Sequence, residues 1–448
     1  MPVAVEDFMS PRRYPLAVGG LERGLARVAG IDVDLRTFLA HVHGLAALLP
    51  EGRHAINLCE DRYRFLVAFC AVALRGQVNL LPPSRAIAVV ADVQRRYAET
   101  WCVGDSALDP APPGYFRLPA TLPQAQGPMP WLEENRCVAI GFTSGSTGAP
   151  APNPKTWGSL QTSTAQNLQA LQDLWGRTLP EVVATVPPQH MYGLEMSVLL
   201  PLLGPARMHA GKPFFPDDVA QALAQASAPR LLVTTPVHLR VLVESGVRLP
   251  PLAGIVTATA PLPQDLAIAA EQRFGIEVRE VFGSTETCIF ARRRTAHEAA
   301  WDLLPGVRLE PQPDGTRVHA PHLPLPVTLA DLVELLPGER FVLRGRRADL
   351  LEIAGKRASL GDLTRRLLAV AGVQDGVVVQ LAPEPGHPVG RIAALVVAPG
   401  CEESRILQAL RAEMDPVFLP RPLRKVAQLP RNETGKLPRD AVLALLQG

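Results

Sequence analysis

Four times in this chain a short apolar run ends in a loop of small and polar residues. Cys137-Val138-Ala139-Ile140 runs into GFTSGSTG, and Leu231-Leu232-Val233-Thr234 lies at TTPVH. Ile255-Val256-Thr257 runs into TATAPLP, and Val278-Arg279-Glu280-Val281 runs into VFGSTET. Each run has the length and apolar character of a buried strand, and helical spacing at Gln264–Phe274, stopped by Gly275, separates the last two. Strands alternating with helices predict βαβ units and a largely parallel sheet, an α/β fold. In open sheets of that kind ligands bind at the carboxyl ends of strands, so the four loops point to one shared cleft.

The same reading places a strand at Ala55–Leu58 and a buried helix at Phe65–Leu74. Past about residue 340 the texture changes. Short strands at Phe341–Leu343, Leu350–Ile353, Gly376–Gln380 and Arg391–Val397 mix with helices at Leu360–Val370 and Glu402–Met414. A chain of 448 residues exceeds the roughly 250–300 at which single cores stop growing. The expectation is a large domain over 1–344 and a small α+β domain over 345–448 that closes over the site.

Composition excludes several classes. A net charge of +2 with both signs dispersed leaves no nucleic-acid footprint. The opening MPVAVEDFMSPRRYP has no apolar core of a secretory signal. The apolar run Phe65–Leu74 is too short to span a bilayer, so no integral membrane segment and a cytoplasmic location are expected. The cysteines at 59, 70, 102, 137, 288 and 401 form no CxxC pair and read as buried free thiols. Only five of the 45 basic residues are lysines: Lys155, Lys212, Lys356, Lys425 and Lys436. In a chain that uses arginine as its routine cation, a lysine is more often wanted as a compact point charge.

Taken alone, GFTSGSTG is either a plain loop or an anion cradle, in which successive backbone N–H groups and hydroxyls surround a phosphate. Its neighbours favour the cradle. Lys155 follows within reach of a polyphosphate. Phe282-Gly283-Ser284-Thr285-Glu286 repeats the pattern and ends in a carboxylate suited to Mg²⁺. Pro430-Arg431-Asn432-Glu433-Thr434-Gly435-Lys436 sets a lysine on a glycine-containing turn.

TSGSTG, FGSTE, a GRxxD-type element at Gly345–Asp349 and PRNETGK, in that order, resemble the adenylate-forming ligase superfamily, from about residue 135 to the C-terminus. The resemblance implies a ligase that activates a carboxylic acid with ATP and Mg²⁺, releases pyrophosphate and passes the acyl group to a thiol. It implies that Thr143, Ser144, Gly145, Ser146, Thr147 and Gly148, with Lys155, grip the phosphates. It gives Thr285 the α-phosphate and Glu286 the Mg²⁺. Phe282, with Gly283 and Ser284, falls beside adenine. Thr259 and Ala260, within Thr257–Pro261, occupy the adenine-side turn without its glycines. Asp331 and Arg346 match ribose contacts, and Lys436 matches the lysine bridging α-phosphate and carboxylate. His190 resembles the aromatic or histidine residue at the acyl pocket, with a loop-capping histidine as the plain alternative. Tyr192 and Trp157 belong either to that pocket or to the core.

The chain departs from the family pattern at two places. A Pro-rich insert, Ala149–Pro154, displaces Lys155, which puts its reach to the phosphates in question. Ala348 and Glu352 replace the usual hinge residues, leaving Asp349 as the candidate hinge. These departures resemble the short carrier-protein ligases of aryl-polyene, xanthomonadin-like pigment clusters. That implies a hydroxybenzoate-type acid loaded onto the phosphopantetheine of an acyl carrier protein. Free coenzyme A is the alternative acceptor. A nucleotide-binding protein without catalysis, and an NTPase without acyl transfer, are the competing readings. Arg292-Arg293-Arg294 and the Arg421, Arg424, Lys425 cluster read either as carrier or coenzyme A contacts or as solvated charge.

Overall fold

A computed structural model describes residues 11–143, 151–313, 315–346, 350–353, 356–381, 390–432, 435 and 437–447. Its contacts gather into two compact units, one of 1–307 with 320–325 and one of 308–319 with 326–448.

The first unit is built on two sheets. In one, the strands run in the order Ala151–Thr156, Cys137–Thr143, Val78–Leu81, His54–Asn57, Thr100–Gly104 and Tyr115–Arg117. All neighbours are parallel except the first pair. Helix Arg62–Leu74 crosses between two of these strands, with Asp61 as its N-cap accepting from Arg64 N at 2.8 Å. From Phe65 to Ala73 every residue of it is inaccessible to solvent, as an apolar-all-round segment requires.

From Ala151 onward the Pro-rich insert is a strand, Ala151–Thr156. Pro152 stands opposite Phe142 and Pro154 opposite Ile140, in a hairpin with the strand that precedes the glycine-serine stretch. A proline cannot donate to a ladder, and this strand lies at the sheet edge with one neighbour, where that donor is not required.

In the second sheet of this unit the order is Trp301–Leu303, Cys288–Arg293, Val278–Ser284, Gly254–Thr257, Arg230–Thr234, Glu181–Ala184, Arg207–His209, Gly24–Val28 and Ile31–Asp34. The run from Val278–Ser284 to Gly24–Val28 is parallel. Helices Pro216–Gln225, Pro236–Glu244 and Gln264–Phe274 cover one face, with Val183, Leu232, Ile255 and Val278 beneath them. Gly275 ends the last helix at φ 66°, the left-handed cap its sequence announced. The fold is α/β with mixed, mostly parallel sheets.

In the second unit Asp331–Leu336 pairs with Arg340–Arg346, so the expected domain break at 344/345 falls inside a strand. Three strands, Asp375–Gln380, Ile392–Val397 and Leu423–Lys425, form a separate sheet. Helices Leu360–Leu368 and Glu403–Glu413 contribute to one buried cluster and Arg439–Gln447 to another. Among the described residues no helix is long and apolar enough to cross a membrane.

Candidate active site

The loops TTPVH, TATAP and FGSTET follow three adjacent parallel strands, so all three open at the same sheet edge. The fourth loop leaves the other sheet. Thr143 ends its strand opposite Ala151, and residues 144–150 lie outside the described residues. The two sheets meet at Gly141. A Cβ there would lie 2.7 Å from Thr285 Cγ2, so a side chain at 141 would displace the Thr285 methyl. Gly141, Phe142, Gln189, His190, Met191 and Thr285 line a cavity of about 20 Å³, room for a single water-sized group. His190 and Thr285, chosen from separate motifs, therefore share one wall-to-wall space with the strand that leads into Thr143.

The Ser284–Cys288 turn is tightly built. Gly283 admits no side chain, since a Cβ would lie 2.1 Å from Cys288 O. Ser284 N donates to Thr287 Oγ1 at 3.1 Å, and Thr287 N donates to Ser284 Oγ at 3.2 Å. Cys288 takes φ 56°, left-handed for a non-glycine residue. Thr285 and Glu286 stay half-exposed. Phe282 packs on Phe290 and Trp301, both with ring centroids at 5.2 Å, and Arg293 lies over the Trp301 ring at 4.2 Å.

Lys155 is 4% exposed, and its Nζ donates to the Glu286 carbonyl at 3.0 Å. Behind the turn sits Glu195, 1% exposed. Its carboxylate accepts from Ser163 Oγ at 2.6 Å, Asn167 Nδ2 at 3.2 Å and Ile289 N at 3.2 Å. Burial raises the Glu195 pKa, and those hydrogen bonds with the Lys155 charge oppose the rise. His322, 3% exposed, has Nε2 2.6 Å from Thr287 O and Nδ1 2.6 Å from Gln166 Oε1, so that each ring nitrogen faces an oxygen acceptor. Burial lowers the His322 pKa; its bond to Thr287 opposes this and the Lys155 charge adds to it. Burial also pushes the Cys288 thiol up to about 12, an inert thiol. Sequence reading passed over Glu195, Gln166 and His322. Glu195 had a signal, a lone carboxylate inside the apolar run Met191–Leu203, which must find partners when buried. His322, in Pro321-His322-Leu323-Pro324, had none.

The adenine-side turn keeps its shape without glycine. Thr259 takes φ 81°, a conformation that β-branched residues rarely accept and that marks stored strain. Ala260 follows it, half-buried. Tyr192 donates to Val256 O at 2.8 Å and is buried, and Trp157 is fully buried, so both are core residues. The three consecutive arginines are ion-paired within the chain. Arg292 lies 3.7 Å from Asp173, Arg293 2.7 Å from Glu280 and Arg294 2.8 Å from Glu271.

In the second unit Asp331 stands directly opposite Arg346 in the strand register, which brings the two expected ribose contacts side by side. Arg431 makes a two-pronged pair with Asp375, Nη2–Oδ1 2.7 Å and Nε–Oδ2 2.9 Å. Its Nη1 donates to Gly435 O at 2.8 Å, fixing the residue before Lys436. Lys436, Ala348 and Asp349 lie outside the described residues, as do Ser144, Gly145, Ser146, Thr147 and Gly148.

Among the described residues no cluster of three or more histidines, cysteines or carboxylates could hold a metal unaided. Mg²⁺ takes one or two carboxylates and leaves its other positions to phosphate oxygens and water. Glu286, the carboxylate expected to hold Mg²⁺, is half-exposed.

The profile of the AMP-binding enzyme family matches residues 46–336. A 4-coumarate–CoA ligase of Rhodobacter capsulatus is 31% identical over 306 residues, 66% of this chain and 74% of that protein. A sulfoacetate–CoA ligase of Cupriavidus necator is 25% identical, covering 89% of this chain and 87% of its own. Among solved structures, the o-succinylbenzoate coenzyme A synthetase of Bacillus subtilis with ATP and magnesium superposes with TM-score 0.81 at 16% identity, over 96% of this chain and 99% of that one.

Proposed function

The chain belongs to the AMP-binding enzyme family, and from that premise we propose that it is an ATP-dependent acid–thiol ligase that forms AMP. A carboxylic acid attacks the α-phosphorus of ATP, pyrophosphate leaves, and a thiol then displaces AMP from the acyl-adenylate. One observation carries this reading. Thr285, Gly141 and His190 line one cavity at the strand ends from which both phosphate-type motifs depart.

In this proposal Thr143 to Gly148 surround the β- and γ-phosphates, Thr285 donates to the α-phosphate, and Glu286 would hold Mg²⁺. Bound there, the ion would neutralise phosphate charge. Phe282, Thr259 and Ala260 flank adenine, and Asp331 and Arg346 hold the ribose. Lys436, from the C-terminal part of the chain, bridges α-phosphate and carboxylate. Negative charge grows on the oxygens around phosphorus, so a cation there stabilises the transition state more than the ground state. His190 stands at the acyl side.

For the substrate we propose an aryl acid of the hydroxybenzoate type, and for the acceptor a carrier-protein phosphopantetheine. Free coenzyme A is the second reading, favoured by the names of the relatives, which are CoA ligases. Carboxylate-dependent ATP–pyrophosphate exchange across benzoates, cinnamates and fatty acids tests the first step. Exchange should be confined to one acid class. Exchange with none of them, or phosphate release independent of any acid, would count against the ligase. Single-turnover transfer to coenzyme A and to a phosphopantetheinylated carrier then separates the acceptors.

A further inference from the structure

The Ser284–Cys288 turn could close on its own bonds, since Ser284 and Thr287 already bind each other's backbone. Yet three buried polar side chains from distant segments also grip its main chain. Lys155 donates to Glu286 O, His322 donates to Thr287 O, and Glu195 accepts from Ile289 N. Burying such groups is costly unless each is satisfied. His322 is itself held from behind: its Nδ1 lies 2.6 Å from Gln166 Oε1, and Gln166 Nε2 donates to Pro305 O at 2.6 Å. Reversing a strand needs no such apparatus. Fixing two consecutive carbonyls does, because it also fixes the side-chain directions of the residues around them. Thr285 and Glu286 are among those residues, and both are half-exposed.

Resting on the reading of Glu286 as the Mg²⁺ carboxylate, we infer that His322, together with Lys155, is a positioning residue for that carboxylate. The imidazole and the ammonium hold the carbonyls of Thr287 and Glu286 inward. The Glu286 side chain is thereby aimed outward before metal and triphosphate arrive. Lys155 thus acts on the phosphates through the backbone of Glu286. Partners that orient a metal ligand typically alter metal affinity by about 10–100-fold when removed.

The test is calorimetric titration of the full chain with ATP, once with Mg²⁺ and once with EDTA, alongside thermal unfolding. In His322→Ala the EDTA affinity should stay near that of the wild type, while the gain in affinity from Mg²⁺ falls by about 10-fold or more. His322→Gln, whose amide can donate to the same carbonyl, should recover most of that gain. Gln166→Leu, which leaves the ring in place without its support, should show a smaller loss of the same kind. It keeps the test open if His322→Ala does not fold. An unchanged Mg²⁺-dependent gain in His322→Ala or Gln166→Leu would overturn the inference. So would equal weakening in both titrations, in step with a lowered melting temperature and without rescue by glutamine. Wild-type protein that binds no ATP in either titration would instead bring down the ligase reading on which the inference rests.

Discussion

Two turns carry the charged groups proposed for catalysis, and the chain holds them by opposite means. The 284–288 turn, bearing Thr285 and Glu286, is gripped by Lys155, His322 and Glu195, each at most 4% exposed. Gly435, the residue before Lys436, is tied by Arg431, whose partner Asp375 is 31% exposed at its side chain. Buried polar contacts act in a low dielectric and cannot be replaced by water, so they fix one geometry. A half-buried pair remains partly screened by water and contributes about 1 kcal/mol. A metal carboxylate that must be in place before substrate binds suits the first arrangement. A lysine needed for one step of a two-step reaction suits the second.

Substitutions can break this contrast, beginning with the largest effect. Lys436→Ala should lower ATP–pyrophosphate exchange by about 10²–10³, or about 3–4 kcal/mol, as for other preorganised charge donors, with nucleotide affinity nearly unchanged. An unaltered exchange rate would remove Lys436 from the mechanism. Lys155→Met strips the Glu286 carbonyl of its donor and leaves Glu195 without a nearby cation. A loss of about 1–3 kcal/mol in unfolding free energy is expected from the unsatisfied buried groups. Stability equal to wild type would show that the grip on the first turn is slack.

The same cluster predicts a pH dependence. Burial raises the folded pKa of Glu195 above its ordinary value of 4.5, so the folded state holds that proton more tightly than the unfolded one. The resulting stabilisation is complete below the unfolded pKa and is lost as pH rises through the folded pKa. Relative to Glu195→Gln, which does not titrate, the wild type should therefore lose stability as pH climbs from the mid-4 range. Denaturant unfolding of both proteins across that window reads this, and parallel pH profiles would contradict it. The smallest effect is expected from Arg431→Gln. It should cost at most about 1 kcal/mol of stability, shrinking at high salt, with a modest fall in exchange rate. A loss as large as that of Lys155→Met would erase the distinction between the turns.

Much of the scaffold was legible from local pattern. The strands at 54–57, 230–234, 254–257 and 278–284, the helix ended by Gly275, the strands at 340–346, 350–353, 375–380 and 392–397 and the helices at 360–368 and 403–413 lie within a few residues of where periodicity and stop signals put them. The Ala151–Thr156 strand was not legible. Its prolines read as loop, because strand formation there depends on an edge position that only sheet order reveals. Tyr192 and Trp157 were ambiguous for a similar reason, since an aromatic side chain looks alike in a pocket and in a core. The arginine run 292–294 could be read as a contact surface until its carboxylate partners, up to 119 residues distant in sequence, were seen folded against it.

The sequence by itself determined the α/β alternation, the order of the motifs and the chemical types gathered in them. These depend on residues near one another along the chain, where spacing, turn chemistry and capping act. Only the tertiary structure decided that Lys155 reaches the backbone of Glu286, that Thr259 holds a left-handed turn without glycine, and that His322, Gln166 and Glu195 stand behind the 284–288 turn. Those contacts join segments up to 156 residues apart. They exist because buried polar atoms must find partners wherever the packed elements bring them, and no local pattern records which partner that will be.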